Sequence, residues 1–273
     1  MLLQRPTPYE DESLESFVIR VANKNGYDDV HRFLMAIKSF LLDIDYDGFQ
    51  SFPTEIGRIN PCSSKNNSRS RTEALQKLSQ MTFNEPAELM QLAVNRSSVK
   101  YSPGTSALIR GAEIFPRSLL RSTLVPICPL CLQEKGYASY LWQLEGYTVC
   151  HEHKVALVAK CLCGAPYDYL ISGLKGTCAD CGQPILSEKD NVESNAKLVS
   201  SWLKGVPSLP LPDLPQSYRW GLVHWWKQVS STEFNALKFV DFWNTWPGSI
   251  HKTTNQTIDF NLDDFFIFTL VYR

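Results

Sequence analysis

Cys128-Pro-Leu-Cys131, Cys150-His-Glu-His153, Cys161-Leu-Cys163 and Cys178-Ala-Asp-Cys181 place four close pairs of metal-ligating side chains within 54 residues of a 273-residue chain. Seven of the eight cysteines lie there, and only Cys62 stands apart. Two intervening residues let a turn bring two thiolates to one face of a knuckle, and two knuckles supply the corners of a tetrahedron around Zn2+. The expected ligand sets are Cys128, Cys131, Cys150 and His153 for one ion, and Cys161, Cys163, Cys178 and Cys181 for a second. The Cys161-x-Cys163 pair is tighter than the usual spacing. His151 competes with His153, but only Cys150-x2-His153 repeats the spacing of the opposite knuckle. Gly164 and Gly182 follow ligands where a knuckle needs backbone of positive φ.

Filling four positions argues against catalysis, because a catalytic zinc keeps a coordination site open. Glu152 between two histidines does not make a hydrolase, since His-Glu-His lacks the H-E-x-x-H spacing that sets two imidazoles on one helical face. No phosphate-cradling glycine loop, dinucleotide fingerprint or nucleophile elbow is present. The chain reads as a binder and not an enzyme. The opening MLLQRPTPYEDESLESF has no basic segment followed by an apolar one. A reducing cytoplasm is therefore expected, where clustered thiols hold metal rather than pair as disulfides.

Outward from the cysteines, periodicity is helical. Leu14, Phe17, Val18 and Val21, then Val30, Phe33, Leu34 and Ile37, recur at three- and four-residue spacing. Between them Asn25-Gly26 stops one helix and an Asp caps the next, giving a helical hairpin or helix-turn-helix. Helices are expected again over 72–81, with Leu75 and Leu78 inward, and over 85–92, with Pro86 in the first turn. Four prolines at 207, 210, 212 and 215 exclude helix there. Aromatic helical patterns resume at Tyr218–Val229, with Trp220, Val223 and Trp226 inward, and at Thr232–Trp243, with Phe234 and Leu237 inward. The β-prone ending Phe265–Arg273 packs inward or marks an altered terminus. The expected fold is mainly α with small zinc-ribbon or zinc-knuckle β modules: an N-terminal helix-turn-helix domain over 1–115, tandem zinc-binding modules over 116–187, and a C-terminal helical segment over 188–273, possibly an incomplete domain.

Apolar residues make up 44% of the chain, enough for a sizeable core, and no apolar run approaches the roughly 20 residues of a membrane-spanning helix. Charge is segregated: residues 10–50 carry a net of −5 and residues 51–127 a net of +5, inside a total of −1. Contact with nucleic acid must therefore be local. Its candidates are Arg58, Lys65, Arg69, Arg71 and Lys77, followed by Arg96, Lys100, Arg110, Arg117 and Arg121. That block motivates a rival reading in which the chain is a stand-alone DNA-binding target-site selector using residues 58–121. The alternative is a solvated basic face. Trp225-Trp226, Trp243 and Trp246 are interface anchors or core. Cys62 reads as an inert thiol.

The segment Leu3 to Gly26 (LQRPTPYEDESLESFVIRVANKNG), the Phe115-Pro116-Arg117 stretch, the Cys128-Pro-Leu-Cys131 knuckle and the Tyr140-Leu-Trp142 to Cys150-His-Glu-His153 run together resemble the TniQ family. The resemblance spans about residues 1–245, and the members most alike serve Tn7-like transposons that carry their own CRISPR effector. It implies a non-catalytic target-selection adaptor for DNA transposition: a head-to-tail homodimer that docks on the RNA-guided Cascade complex and recruits an AAA+ ATPase regulator, and through it the transposase. Target DNA is then engaged mainly indirectly. The same resemblance implies zinc at the eight ligands named above. Relatives of this type usually continue well beyond the position equivalent to Arg273.

Overall fold

The computed structural model describes residues 2–64, 69–82, 84–187, 192–230 and 234–245. Ser13 begins the first helix by accepting a hydrogen bond from the Ser16 amide, and α1 runs Leu14–Lys24. Its end follows the expected chemistry: Asn25 caps it, and Gly26 takes the left-handed conformation at φ 80°. Asp29 then accepts from His31 N–H and opens α2, Val30–Ile44. Leu14, Phe17, Val18 and Val21 of α1 and Phe33, Leu34, Ile37 and Leu41 of α2 are all buried. The short α3 (Tyr46–Phe49) leads by single turns at Ile56–Arg58 and Pro61–Ser63 to α4 (Arg69–Thr82) and α5 (Pro86–Leu92). Leu75 and Leu78 face inward as expected.

The segment expected to be helical throughout instead closes with an antiparallel sheet in the order β1-β2-β3: Asn95–Ser102, Thr105–Arg110 and Glu113–Pro116. Gly104 makes the first turn at φ 83°. Register pairs Leu108 with Phe115 and Ile109 with Ile114. The sheet is not marked by an apolar pattern because β1 (NRSSVKYS) is largely polar, with half of its residues exposed and none buried.

Beyond a turn at Arg117–Leu119 lie α6 (Pro129–Lys135), a turn at Tyr140–Gln143 and α7 (Tyr169–Ser172). Here β pairing consists of isolated bridges, Ile127 with Val158, Val149 with Ala156, Lys160 with Pro166 and Thr177 with Pro184. The chain then forms α8 (Ser194–Leu203), which periodicity had not marked, α9 (Gln216–Ser230) and α10 (Ala236–Thr245). The proline-rich strap crosses between α8 and α9 without helix. Trp202 Nε1 donates to Pro212 O at 2.7 Å, and Arg219 reaches Leu214 O at 2.6 Å and Asp213 at 2.8 Å. Trp220 and Val223 are buried and Trp226 and Phe234 half-buried as expected, whereas Leu237 faces out, 43% exposed. Trp246 and Phe265–Arg273 lie outside the described residues. Among those described, no helix is long and apolar enough to cross a membrane.

One continuous apolar core runs from α1 through the cysteine-rich stretch to α10. A buried polar network crosses it. Glu15 of α1 accepts from Asn60 Nδ2 at 2.6 Å and Gln143 Nε2 at 2.8 Å. Asn60 Oδ1 in turn accepts from Val94 N–H at 2.7 Å, and Tyr169 Oη bonds Ser13 Oγ and Gln143 Nε2, each at 2.9 Å. Burial raises the Glu15 pKa above the carboxylate norm, and the bonds from Gln143 and Asn60 only partly oppose it. A folded-state pKa above the unfolded one favours folding in acid, and that contribution is lost as pH rises through the folded value. Glu15→Gln is therefore expected to keep stability within about 1 kcal/mol at neutral pH. It should also flatten the fall in melting temperature between mildly acidic and mildly alkaline buffer; a variant with the wild-type slope would show that Glu15 does not set it.

Candidate metal centres

Cys128 caps α6 at its N-terminus and Cys131 sits within the first turn, so the helix itself holds two sulfurs side by side. The opposing knuckle turns at Cys150, with Lys154 N–H bonded to Cys150 O at 2.9 Å. There His153 Nδ1 lies 3.5 Å from Cys128 Sγ, 3.3 Å from Cys131 Sγ and 3.5 Å from Cys150 Sγ, and the last two sulfurs are 3.5 Å apart. A four-coordinate ion about 2.3 Å from sulfur and 2.0 Å from nitrogen imposes tetrahedral edges of about 3.8 and 3.5 Å. The donors already stand at that spacing. In the second cluster Cys161 and Cys181 sulfurs are 3.6 Å apart and those of Cys163 and Cys178 3.8 Å. Within each cluster all four donor atoms lie within 4.8 Å of one another. A disulfide needs about 2.05 Å, and all eight cysteines are free thiols.

Sulfurs packed this closely cannot hold independent charges. Hydrogen bonds from Cys128 and then Cys131 drive the Cys150 thiol far below its usual range, while the Cys131 thiol, bonded to Cys128 and Cys150, is driven far up. At the second cluster the Cys181 amide is the main influence drawing Cys178 down to about 7. A cation replacing the shared protons resolves the conflict. These residues fit two four-coordinate metal ions.

The structure brings His153, not His151, to the sulfurs. His151 Nδ1 is instead 2.7 Å from the Tyr147 hydroxyl. His153 Nε2 lies 2.9 Å from Glu134 Oε2, which leaves Nδ1 free to ligate. Burial opposes its charge, but bonds to Cys150 and Glu134 outweigh this and raise its pKa. Sequence reading missed Glu134; its signal is the i+3 spacing from Cys131 on one helix. Missed too was Lys154, which adopts φ 58° at the turn position that Gly164 (φ 90°) and Gly182 (φ 70°) occupy in the second cluster. Lys154 Nζ also reaches Ser201 Oγ of α8 at 2.8 Å, fastening the knuckle to the C-terminal helices. The clusters differ in exposure: Cys128, Cys131 and Cys150 are buried, whereas Cys163 and Cys181 are exposed. Burial pushes the isolated Cys62 thiol up to about 11, an inert thiol as expected.

The basic residues divide: Arg58, Arg69, Arg96, Lys100 and Arg117 are exposed, Arg121 is half-buried, and Arg71 and Arg110 are buried. Arg71 turns inward, its Nη1 donating to Arg58 O, Asn60 O and Ser63 Oγ. Arg96 donates to the carbonyls of Cys62 and Ser64, Arg117 to Cys62 O at 3.4 Å, and Arg121 to Trp142 O and Tyr147 O. Arg110 is buried over the Tyr140 ring, 3.7 Å from its centroid, and donates to Glu10 O at 2.7 Å. Arg58 pairs with Glu55 at 3.0 Å and Arg69 with Glu73 at 2.8 Å. Lys77 is half-buried, and Lys65 lies outside the described residues. Irregular backbone over 58–64 and 142–147 leaves carbonyls without ladder partners, and arginine donors supply them.

A helical chain with two closed four-donor clusters at its centre belongs to the class of metal-knuckle scaffolds. The TniQ family model matches residues 3–157, more than half of the sequence, and the chain belongs to that family. This is a family of transposition-associated target-selection adaptors, generally non-enzymatic. The match takes in the whole first cluster and ends before the second, which therefore stands on its geometry. A search of curated proteins finds no match.

Proposed function

We propose that this protein is a non-enzymatic adaptor for RNA-guided DNA transposition. It docks as a homodimer on a CRISPR Cascade effector carrying guide RNA and recruits the AAA+ ATPase regulator and the transposase to the target site, in the cytoplasm. The single observation that carries the reading is family membership over residues 3–157. The closed clusters fit it, since donors arranged to fill four positions suit a structural ion and leave none for substrate. Both ions are zinc, the metal that thiolate-rich tetrahedral sites select. They stiffen a tandem module over 116–187 between an N-terminal helix-turn-helix domain, 1–115, and a C-terminal helical domain, 188–273, so that partners are engaged at both ends.

The test is co-purification of the metal-replete chain with the CRISPR complex of its own element, with native mass to count copies and metal analysis to count ions. The expected result is a stable complex holding a dimer with two zincs per chain. Failure of intact protein to associate would overturn the docking. Strong, salt-dependent retardation of duplex DNA by the chain alone would instead favour the stand-alone selector using 58–121. Arg110, buried, and Arg121, half-buried, are turned onto backbone carbonyls, which weighs against that outcome.

A further inference from the structure

A guanidinium keeps its proton at any physiological pH, so a buried one costs several kcal/mol unless an anion accompanies it. Arg71, third residue of α4, is only 9% exposed, and no carboxylate among the described residues pairs with it. Its Nη1 is satisfied by neutral oxygens, but its Nε has no hydrogen-bond partner among the described residues. After desolvation, the strongest influence lowering its pKa is the like charge of Arg58. Two guanidiniums thus meet, and Glu55, the one acid beside them among the described lining residues, is turned to Arg58.

Both arginines open on one cavity of about 180 Å³ between the Ser51–Arg58 segment and the start of α4. Its remaining polar lining is Ser51, Thr54 and Glu55. Ser51 Oγ lies 3.0 Å from Ser70 Oγ, so the first turn of α4 closes the back of the pocket. Paired guanidinium forks with hydroxyl donors between them match an anion that offers several oxygens in different directions, a tetrahedral oxyanion rather than a planar carboxylate. We propose that this cavity is a phosphate-binding site, in which one phosphate group lies between Arg58 and Arg71 and is completed by the hydroxyls of Ser51 and Thr54. The phosphate is either part of a nucleic-acid backbone or a free phosphate; the recognised chemistry is the same. Glu55 acts as the internal competitor that holds Arg58 until the phosphate arrives. The site goes beyond protein docking and does not depend on which effector subunits are bound.

The experiment uses the full, metal-replete chain with inorganic phosphate in one arm and a fluorescein-labelled oligonucleotide in the other. Inorganic phosphate is followed by thermal shift and 31P line broadening against chloride at equal ionic strength, and the oligonucleotide by anisotropy at several salt concentrations. Arg58 and Glu55 are exposed side chains, so Arg58→Gln and Glu55→Gln should fold normally. Arg58→Gln is expected to weaken binding roughly tenfold, the cost of a charge-assisted hydrogen bond. Glu55→Gln should tighten it severalfold, a gain that a merely structural acid would not give. A response in the oligonucleotide arm, with the salt slope lowered by about 1 in Arg58→Gln, identifies the backbone as source. A response to phosphate alone identifies the free ion. No saturable response in either arm, or equal responses from the wild type and both variants, overturns the site. Neither result touches co-purification with the effector, so the two readings fail separately.

Discussion

Cys131→Ser is expected to remove one metal ion per chain and to unfold the middle of the molecule at physiological temperature. Cys131 is the ligand whose sulfur makes the 3.5 Å and 3.3 Å approaches to Cys150 and His153, and it is buried on α6. Serine offers a harder, protonated oxygen and leaves two thiolates and an imidazole pointing at an incomplete site. Structural zinc contributes apparent binding energies on the order of 10 kcal/mol, as large as the whole stability of an ordinary domain. Cys128 and Cys150 belong to the continuous core, alongside Trp142 and Tyr147, so the loss cannot stay local. Cys163→Ser makes the contrast. It should also lose one ion, but Cys163 and Cys181 are exposed and only Cys161 and Cys178 of that cluster reach the core, so the drop in melting temperature should be smaller. Metal analysis beside thermal melts of the two variants checks both. Equal melting losses, or unchanged metal content in Cys131→Ser, would contradict the asymmetry.

What could be read in advance, and what could not, divides along one physical line. Features fixed by a few neighbouring residues were legible. Asp29 and Gly26 set helix ends through their own backbone or side-chain bonds, and four cysteine pairs announced two clusters because knuckle geometry needs only short spacing. Features fixed by distant partners were not. Strand β1 is held by pairing with β2 and by Tyr101, whose hydroxyl donates to Ser217 O at 2.6 Å, more than a hundred residues away. Charge misled for the same reason. Arg71 and Arg110 look like basic surface in the sequence, but the fold buries them against backbone carbonyls. Their side chains are the mortar of irregular backbone.

Gly146→Ala should destabilise the protein by about 3 kcal/mol, from two separable causes. Gly146 sits at φ 91°, between Trp142 and the Cys150 knuckle, in a conformation that costs an L residue on the order of 1 kcal/mol. An added Cβ would also meet Val223 Cγ1 of α9 at 2.9 Å and approach Leu203 of α8 at 3.9 Å. Val223 is fully buried and belongs to the core, so neither it nor the helix can move aside cheaply. The glycine is thus one point where the cysteine-rich segment lies against α8 and α9. A double-mutant cycle separates the causes, because Val223→Ala removes the obstructing methyl groups and leaves φ unchanged. The cavity from Val223→Ala alone should cost about 1 to 2 kcal/mol. In the Gly146→Ala background that cost should largely vanish, giving a coupling of roughly 1 to 2 kcal/mol, while the residual penalty measures the backbone strain. Additive losses in denaturant titrations would mean that the knuckle segment and α9 are not in van der Waals contact.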